Sequence, residues 1–485
     1  MTRVLVLDVG TSALKAVLFD GSGTVLARSE ADYGPSPAPH RQDPEAWWQA
    51  ARRAVGGIGS ERIDAIALSG TMENLIAVDA AGLPVHDAIL YSDPCGAETH
   101  AGLGPALEAL GAGAILGNAP EPLMTGFKLR WLADAAPEAF AAARWFLPGA
   151  KDALVLRLTG RAATDPVTAS TTGLMDMAAR DWSDALIETL AVPRARLPDI
   201  LPAGAIVGPL GAEAARALGL AASAAIPVIN GCGDGGATTL GARCRGAGDV
   251  SLYLGTTGWV ARVVDDRDLA PNPAVYRLAH PDPGLIVEIT PILAAGAAGT
   301  WIRGILDIPA EDRDRLLAEA DRHPPDLLFL PYLSGERFPF FDADVRAAFL
   351  GLDATHRRGD LYYAVLEGVG HAIRANLDRL DPNGVSPLRL AGGGATSAVW
   401  PQMLADLLDR PVSAPTDPEN ATALGAFLVA ATGLGLTAEA AETVSLTQPR
   451  NARSARTRRL TAAFENATNL TRDFRGPLAL TGGEA

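Results

Sequence analysis

Two short stretches of the chain carry the same arrangement of residues. In LDVGTSALKAVLFD, residues 7–20, an apolar strand runs into Asp8, turns through Gly10-Thr11-Ser12 and resumes as a second strand bearing Lys15. In LYLGTTGWVARVV, residues 252–264, a strand turns through Gly255-Thr256-Thr257 and resumes. Glycine lets a ligand approach the backbone closely, and successive N–H groups with neighbouring hydroxyls supply donors to phosphate oxygens. Strand alternation places Lys15 on the side of Ala13, two residues back toward the turn, where its ammonium reaches a bound phosphate. Asp8, just before the turn, suits Mg2+ held through water, because a hard cation prefers carboxylate and phosphate oxygens. Either tetrapeptide alone reads as an ordinary hairpin turn. Two of them in matching strand contexts, about half the chain apart, point to phosphate.

Two further glycine-rich segments follow strands. GCGDGG, residues 231–236, formally matches the G-x-G-x-x-G dinucleotide pattern, and Asp249 lies near the spacing of a ribose-binding carboxylate. Asp234, however, would aim a negative charge into a pyrophosphate loop. Taken instead as a carboxylate on a glycine-rich turn at a strand end, Asp234 is a candidate general base for a substrate hydroxyl; the plain alternative is a turn-forming aspartate. In LRLAGGGATSAVW, residues 388–400, a strand ends in three glycines before Ser397 and Trp400 open a helix. Consecutive glycines let a flat ring lie against backbone, although close strand–helix packing accounts for them equally well. No G-x-x-x-x-G-K-[ST] occurs, which excludes a P-loop protein.

These residues must be positioned by more than one domain. At 485 residues with 48% hydrophobic and 20% charged residues, the chain has the composition of a multidomain globular protein. A formal net charge of −15 argues against nucleic acid or an anionic membrane as partner. Three cysteines, Cys95, Cys232 and Cys244, lack disulfide-framework or metal-site spacing, and no secretory leader or long uncharged apolar run appears, so a cytoplasmic protein is expected. Only three of the 41 Lys and Arg residues are lysines, Lys15, Lys128 and Lys151. Where arginine is the default cation, a lysine kept for its compact ammonium and one left by chance are the two readings of each.

The elements repeat. VLVLDV, KAVLFD and TVLARSEADY read as three consecutive strands, and QDPEAWWQAARRAVGGI as a helix capped by Asp43 with Pro44 in its first turn. IDAIALSG is a strand, 95–145 is mainly helical, and IPVINGCGDGG is a strand entering a glycine turn. VSLYLG, WVARVV and GLIVEIT then restart the series, followed by the helix RGDLYYAVLEGVGHAIRANLDRL, the strand PLRLAGGGA and the helix SAVWPQMLADLLDR. An internal duplication with its boundary near 243–250 follows. Residues 450–485 read as a helix and a glycine-rich tail.

With these motifs in place, the chain resembles the FGGY family of carbohydrate kinases, within the actin-like ATPase superfamily. The resemblance runs from DVGTSALK through DPEAWWQA, LPGAKDALVLRLTG, GCGDGG, LYLGTTG, FLPYLSGER and GGGATSAVWPQMLADLLDRPV to ATALGAFLVA, and looks nearest to the xylulokinase subgroup. It implies an α/β protein of two ribonuclease H-like domains with a central cleft: 1–245 carrying sugar, first phosphate loop and catalytic Asp; 246–445 carrying nucleotide; and 446–485 as C-terminal helix and tail. The implied substrates are ATP with Mg2+ and a small sugar, and family members are often homodimers. By the same resemblance Asp234 is the base and, with Asp8, assists the metal. Thr11, Ser12 and Lys15 belong to one phosphate loop, Gly255, Thr256 and Thr257 to the other. Gly393, Gly394, Ala395 and Ser397 lie beside the nucleoside, and Met72, Glu73, Asp93 and Asp234 at the sugar.

Departures from the family pattern fall on the sugar side. Xylulokinases usually have Gln-Met-His where this chain has Thr71-Met72-Glu73. Asp93 is retained but followed by Pro94-Cys95, and Gly235 replaces the Asn that commonly follows the catalytic Asp. The expectation is a working kinase with a reshaped acceptor pocket. An acidic pocket disfavours aldonates, because burying two carboxylates together is costly, and suits a ketopentose such as D-xylulose or another neutral polyol or ketose. A sensor that binds sugar and nucleotide without turnover, and a dinucleotide-dependent oxidoreductase resting on GCGDGG, are the competing classes. Trp47 and Trp48 read as core, Glu336 and Arg337 as a structural ion pair or a cleft pair, and Lys151-Asp152 as a brace of the first domain.

Overall fold

The computed structural model describes residues 2–473 except 60, 222–224, 268–274, 385, 439–443 and 451–452. The glycine-rich tail expected after the last helix lies outside the described residues. Two sheets organise the chain. The first has strands β1 (Arg3–Val9), β2 (Ala13–Asp20), β3 (Val25–Asp32), β4 (Ala65–Gly70), β5 (Ile206–Pro209) and β6 (Pro227–Gly233), in the order β5-β6-β4-β1-β2-β3. The second has β7 (Val250–Leu254), β8 (Gly258–Asp265), β9 (Tyr276–Ala279), β10 (Leu285–Ile292), β11 (Leu388–Ala391), β12 (Val412–Pro415) and β13 (Val444–Thr447), in the order β9-β10-β8-β7-β11-β12-β13.

In the first sheet β2 is antiparallel to both β1 and β3, while β4 runs parallel to β1 and β6 parallel to β4. In the second, β8 is antiparallel to β7, β11 runs parallel to β7 and β12 parallel to β11. The series β3-β2-β1-β4-β6 and β10-β8-β7-β11-β12 therefore repeat one plan. The chain packs as two compact units, each assembled from separated stretches: 1–247, 264–287 and 421–441 form the first, and 248–263, 288–420 and 442–485 the second.

Strand periodicity explains the packing of the first unit. Leu5, Leu7 and Val9 of β1 face helix α1 (Pro44–Ile58) and join a core with Trp47, Trp48, Ala51 and Val55. The Asp43 side chain accepts the Glu45 N–H and Pro44 opens the helix, which fixes where α1 starts. Val4 and Val6 point the other way, joining Phe19 and the helix Ala421–Gly433, whose Phe427 stacks on Phe19 at 4.9 Å. Behind β4, Lys151 of the helix Ala150–Thr159 is wholly buried. Its ammonium meets Asp152 at 2.7 Å and Asp165 at 3.0 Å, with Asn230 at 3.4 Å. This is the brace expected from the sequence.

GCGDGG is not a turn. β6 ends at Gly233 and a helix, Asp234–Gly241, begins on the next residue. The expectation of a glycine-rich turn there is corrected. Glycines at 235 and 236 pointed to a loop because the helix's small residues fit neighbours that a propensity argument cannot see: a Cβ at Gly236 would lie 2.9 Å from Val167.

Candidate active site

The first phosphate turn is built by withdrawing its carbonyls. The Gly10 carbonyl accepts the Tyr33 hydroxyl at 3.0 Å, the Thr11 carbonyl accepts Gln42 Nε2 at 2.6 Å, and the Ser12 carbonyl accepts the Tyr33 N–H at 3.3 Å. The indole N–H of Trp47 holds the Gln42 side-chain oxygen at 2.8 Å, so α1 orients the clamp. Thr11 and Ser12 are exposed, and among the described residues neither their N–H groups nor their hydroxyls have a protein partner. With acceptors turned inward and donors outward, the turn is an anion cradle. Lys15 stands opposite Asp8 on one side and Glu30 on the other.

The second turn reaches the same state by another route. The N–H groups of Gly296 and Ala297, opening the helix Gly296–Ile305, take the Gly255 and Thr256 carbonyls at 2.9 Å each, and the Gly255 N–H takes that of Thr257 at 3.0 Å. Thr256 and Thr257 are exposed, with donors free among the described residues. Gly255 and Thr256 line a cavity of about 280 Å3 together with Gly393, Gly394 and Ser397. Thr257 and Ala395 are not part of its lining, and Ala395 is buried. The Ser397 hydroxyl accepts the N–H groups of Val399 and Trp400, just ahead of the helix that begins at Trp400. At Gly394 an added Cβ would fall 2.7 Å from both Leu254 and the Trp400 ring, so only glycine keeps this wall in place. Sequence reasoning missed Thr300, Arg303, Arg313 and Tyr362, which line the cavity from helices. Only the small-residue run AAGAAGT ahead of Trp301 hinted at a helix face left open.

In the first unit, Asp8 and Asp234 are brought together. Burial pushes the Asp8 carboxyl up to about 6, with Lys15 opposing and Glu30 reinforcing the rise. Burial and the charge of Asp8 push Asp234 up to about 7, against the backbone N–H groups at the start of its helix. Met72 packs on the residue before Asp234: a Cβ on Gly233 would lie 2.0 Å from the Met72 sulfur. Glu73 follows in the left-handed region, with φ +57°. Both oxygens of Asp93 are engaged, Oδ1 by the Cys95 N–H at 2.9 Å and Oδ2 by Arg41 at 2.8 Å. Glu336 is buried, its Oε1 accepting the N–H of Arg337 at 2.9 Å, and burial pushes its carboxyl up to about 7. Among the described residues no group of three or more His, Cys, Asp and Glu could hold a metal ion.

Two donor-rich turns on duplicated α/β units, with a buried pair of carboxyls in the first, suit phosphoryl transfer. The FGGY family of carbohydrate kinases supplies the match: its N-terminal domain model covers residues 3–241 and its C-terminal domain model residues 241–434, and the chain belongs to that family. It is therefore a phosphotransferase with an alcohol group as acceptor. The chain is 34% identical to a xylulose kinase of Escherichia coli strain K12, over 87% of this chain and 88% of that protein. It is 31% identical to a glycerol kinase of Allorhizobium ampelinum, over 89% and 90%. A solved xylulose kinase from Rhodospirillum rubrum superposes with a TM-score of 0.84 at 29% identity, covering 97% of this chain and 99% of that one. The expected fold class, two actin-like ATPase domains, is the one adopted.

Proposed function

We propose that the chain transfers the γ-phosphate of MgATP to a hydroxyl of a small neutral ketose, D-xylulose before others, with Asp234 as general base. The observation that carries this reading is the Asp234 carboxyl itself. It stands at the first residue of a helix, next to the glycine that Met72 covers, with its pKa raised to about 7. A base poised near neutrality orients the acceptor hydroxyl and takes its proton late, as phosphoryl transfer requires. Thr11, Ser12 and Lys15 in one unit, and Gly255, Thr256 and Thr257 in the other, donate to phosphate oxygens. Gly393, Gly394, Ala395 and Ser397 form or support the nucleoside wall.

Asp8 and Asp234 fit Mg2+ as a pair of close carboxylates, which a divalent ion relieves of mutual repulsion while phosphate and water complete its shell. When bound, the ion neutralises charge developing on the transferred group. Met72 and Glu73 face the acceptor, and Asp93 shapes that side through its pairing with Arg41. Xylulose kinases among the most similar relatives favour a ketopentose. Glu73, in place of the usual histidine, favours a second reading in which the acceptor is a smaller polyol such as glycerol. ADP release with MgATP across ketopentoses, tetritols, glycerol and aldonates tests both. One neutral acceptor raising turnover far above background, with loss in Asp234→Asn, supports the proposal. A gluconate response overturns the acceptor class, and nucleotide binding with a flat panel overturns catalysis.

A further inference from the structure

The turn 71–74 is tied at its ends by backbone bonds to Val9, Pro148 and Ala150, and the carbonyls of Glu73 and Asn74 are held by one helix, Thr125–Ala135. Thr125 Oγ1 donates to the Asn74 carbonyl at 2.9 Å, and Lys128 Nζ donates to the Glu73 carbonyl at 2.6 Å. Asn74 is wholly buried; its amide nitrogen donates to the Thr71 carbonyl and its oxygen accepts the Tyr91 N–H. Every bond in this set fixes backbone, and the one residue held in the left-handed region is Glu73. Lys128 shows no exposure at all. An ammonium is placed in such a site at a large desolvation cost, which only specific partners offset.

Those partners are acceptor-side groups. The charges bearing on Lys128 are Glu73 and Asp93, with the Cys95 thiol beside them and Arg41 opposing. Arg41 in turn pairs with Asp93 and lies over the Trp131 ring, one helical turn from Lys128. A guanidinium could not replace the ammonium here, since its planar fork needs more partners than one carbonyl offers.

We propose that Lys128 is a positioning residue for acceptor recognition, holding the left-handed Glu73 turn so that Met72 stays on Gly233 and Glu73 faces the acceptor. This rests on the reading above that residues 72 and 73 contact the acceptor. The test compares Lys128→Met, Glu73→Gln and the double variant, with the acceptor found in the panel. Lys128→Met is expected to raise the acceptor KM about tenfold or more while the ATP KM changes little. Combined with Glu73→Gln it should add less than the product of the single effects.

An unchanged acceptor KM in Lys128→Met, beside a raised one in Glu73→Gln, overturns the role of Lys128. Unchanged values in Glu73→Gln instead overturn the acceptor reading beneath it. Should Lys128→Met not accumulate as folded protein, the wild-type enzyme decides. Burial lowers the Lys128 pKa to about 8, and the Cys95 thiol, pushed up to about 12, stays neutral there. Acceptor KM should then climb above pH 8 while ATP KM stays level. A level acceptor KM through pH 9.5 overturns the proposal.

Discussion

Replacing Asp234 by asparagine should abolish turnover and, at alkaline pH, stabilise the fold. The carboxyl moves from an ordinary value of 3.8 to about 7 in the folded protein. A raised carboxyl pKa means that the native state holds its proton more tightly than the unfolded chain does. Stability therefore falls as pH rises from about 4 to about 7 and levels off above that window. The shift corresponds to about 4 kcal/mol at pH 8 and about 2 kcal/mol at pH 5, and solvent at the partly open carboxylate reduces each to about half. Asparagine keeps an oxygen for the N–H groups at the helix start and carries no charge. Thermal unfolding without nucleotide or metal should show the variant melting about 2–3 °C above wild type at pH 8. That advantage should shrink to about half at pH 5. ADP release should fall by about 100-fold or more. A variant that is inactive yet melts at or below wild type at pH 8, or whose advantage does not shrink with acid, refutes the argument.

Other substitutions probe the two turns and the brace. Gly394→Ala drives a Cβ against Leu254 and Trp400; it should raise the ATP KM about tenfold and lower stability by about 1–3 kcal/mol, read by kinetics and urea unfolding. Tyr33→Phe frees the Gly10 carbonyl; a loss of about 1 kcal/mol of ATP binding, seen by calorimetry, is expected with acceptor KM unchanged. Lys151→Met strands Asp152 and Asp165 in the core; a cost of about 3–5 kcal/mol should appear as a lowered melting temperature or failure to accumulate. In wild type, kcat/KM for ATP at saturating acceptor should rise with pH up to about 7 and then level as Asp234 ionises.

Local rules reached far into this molecule. The Asp43-Pro44 cap, the helix Arg358–Leu380 and both strand–turn–strand units follow from period, caps and turn chemistry alone. What local rules missed depends on partners distant in sequence. Nothing near Gly236 reveals that a helix starts at Asp234, because the neighbours that exclude larger side chains are distant in sequence, Val167 beside Gly236 and the Ala421 carbonyl beside Gly241. The left-handed backbone at Glu73 has its carbonyl bonded by a lysine 55 residues away. The engagement of Asp93 with Arg41 was not legible, since the two are 52 residues apart. The retention of Lys128 in an arginine-biased chain was the one composition signal that pointed at it.

The helix Ala421–Gly433 has a consequence for how the protein is made. It covers the sheet face of Val4, Val6, Val17 and Phe19, yet it is encoded far downstream of residue 247. On the ribosome the first unit must wait roughly 10–35 s for its own lid to emerge. During that interval an apolar surface built from the N-terminal strands stands open to chaperones or to other nascent chains. Translation speed through the intervening segment thus becomes a determinant of yield, and a message truncated before codon 421 would encode an enzyme half that cannot close its own core.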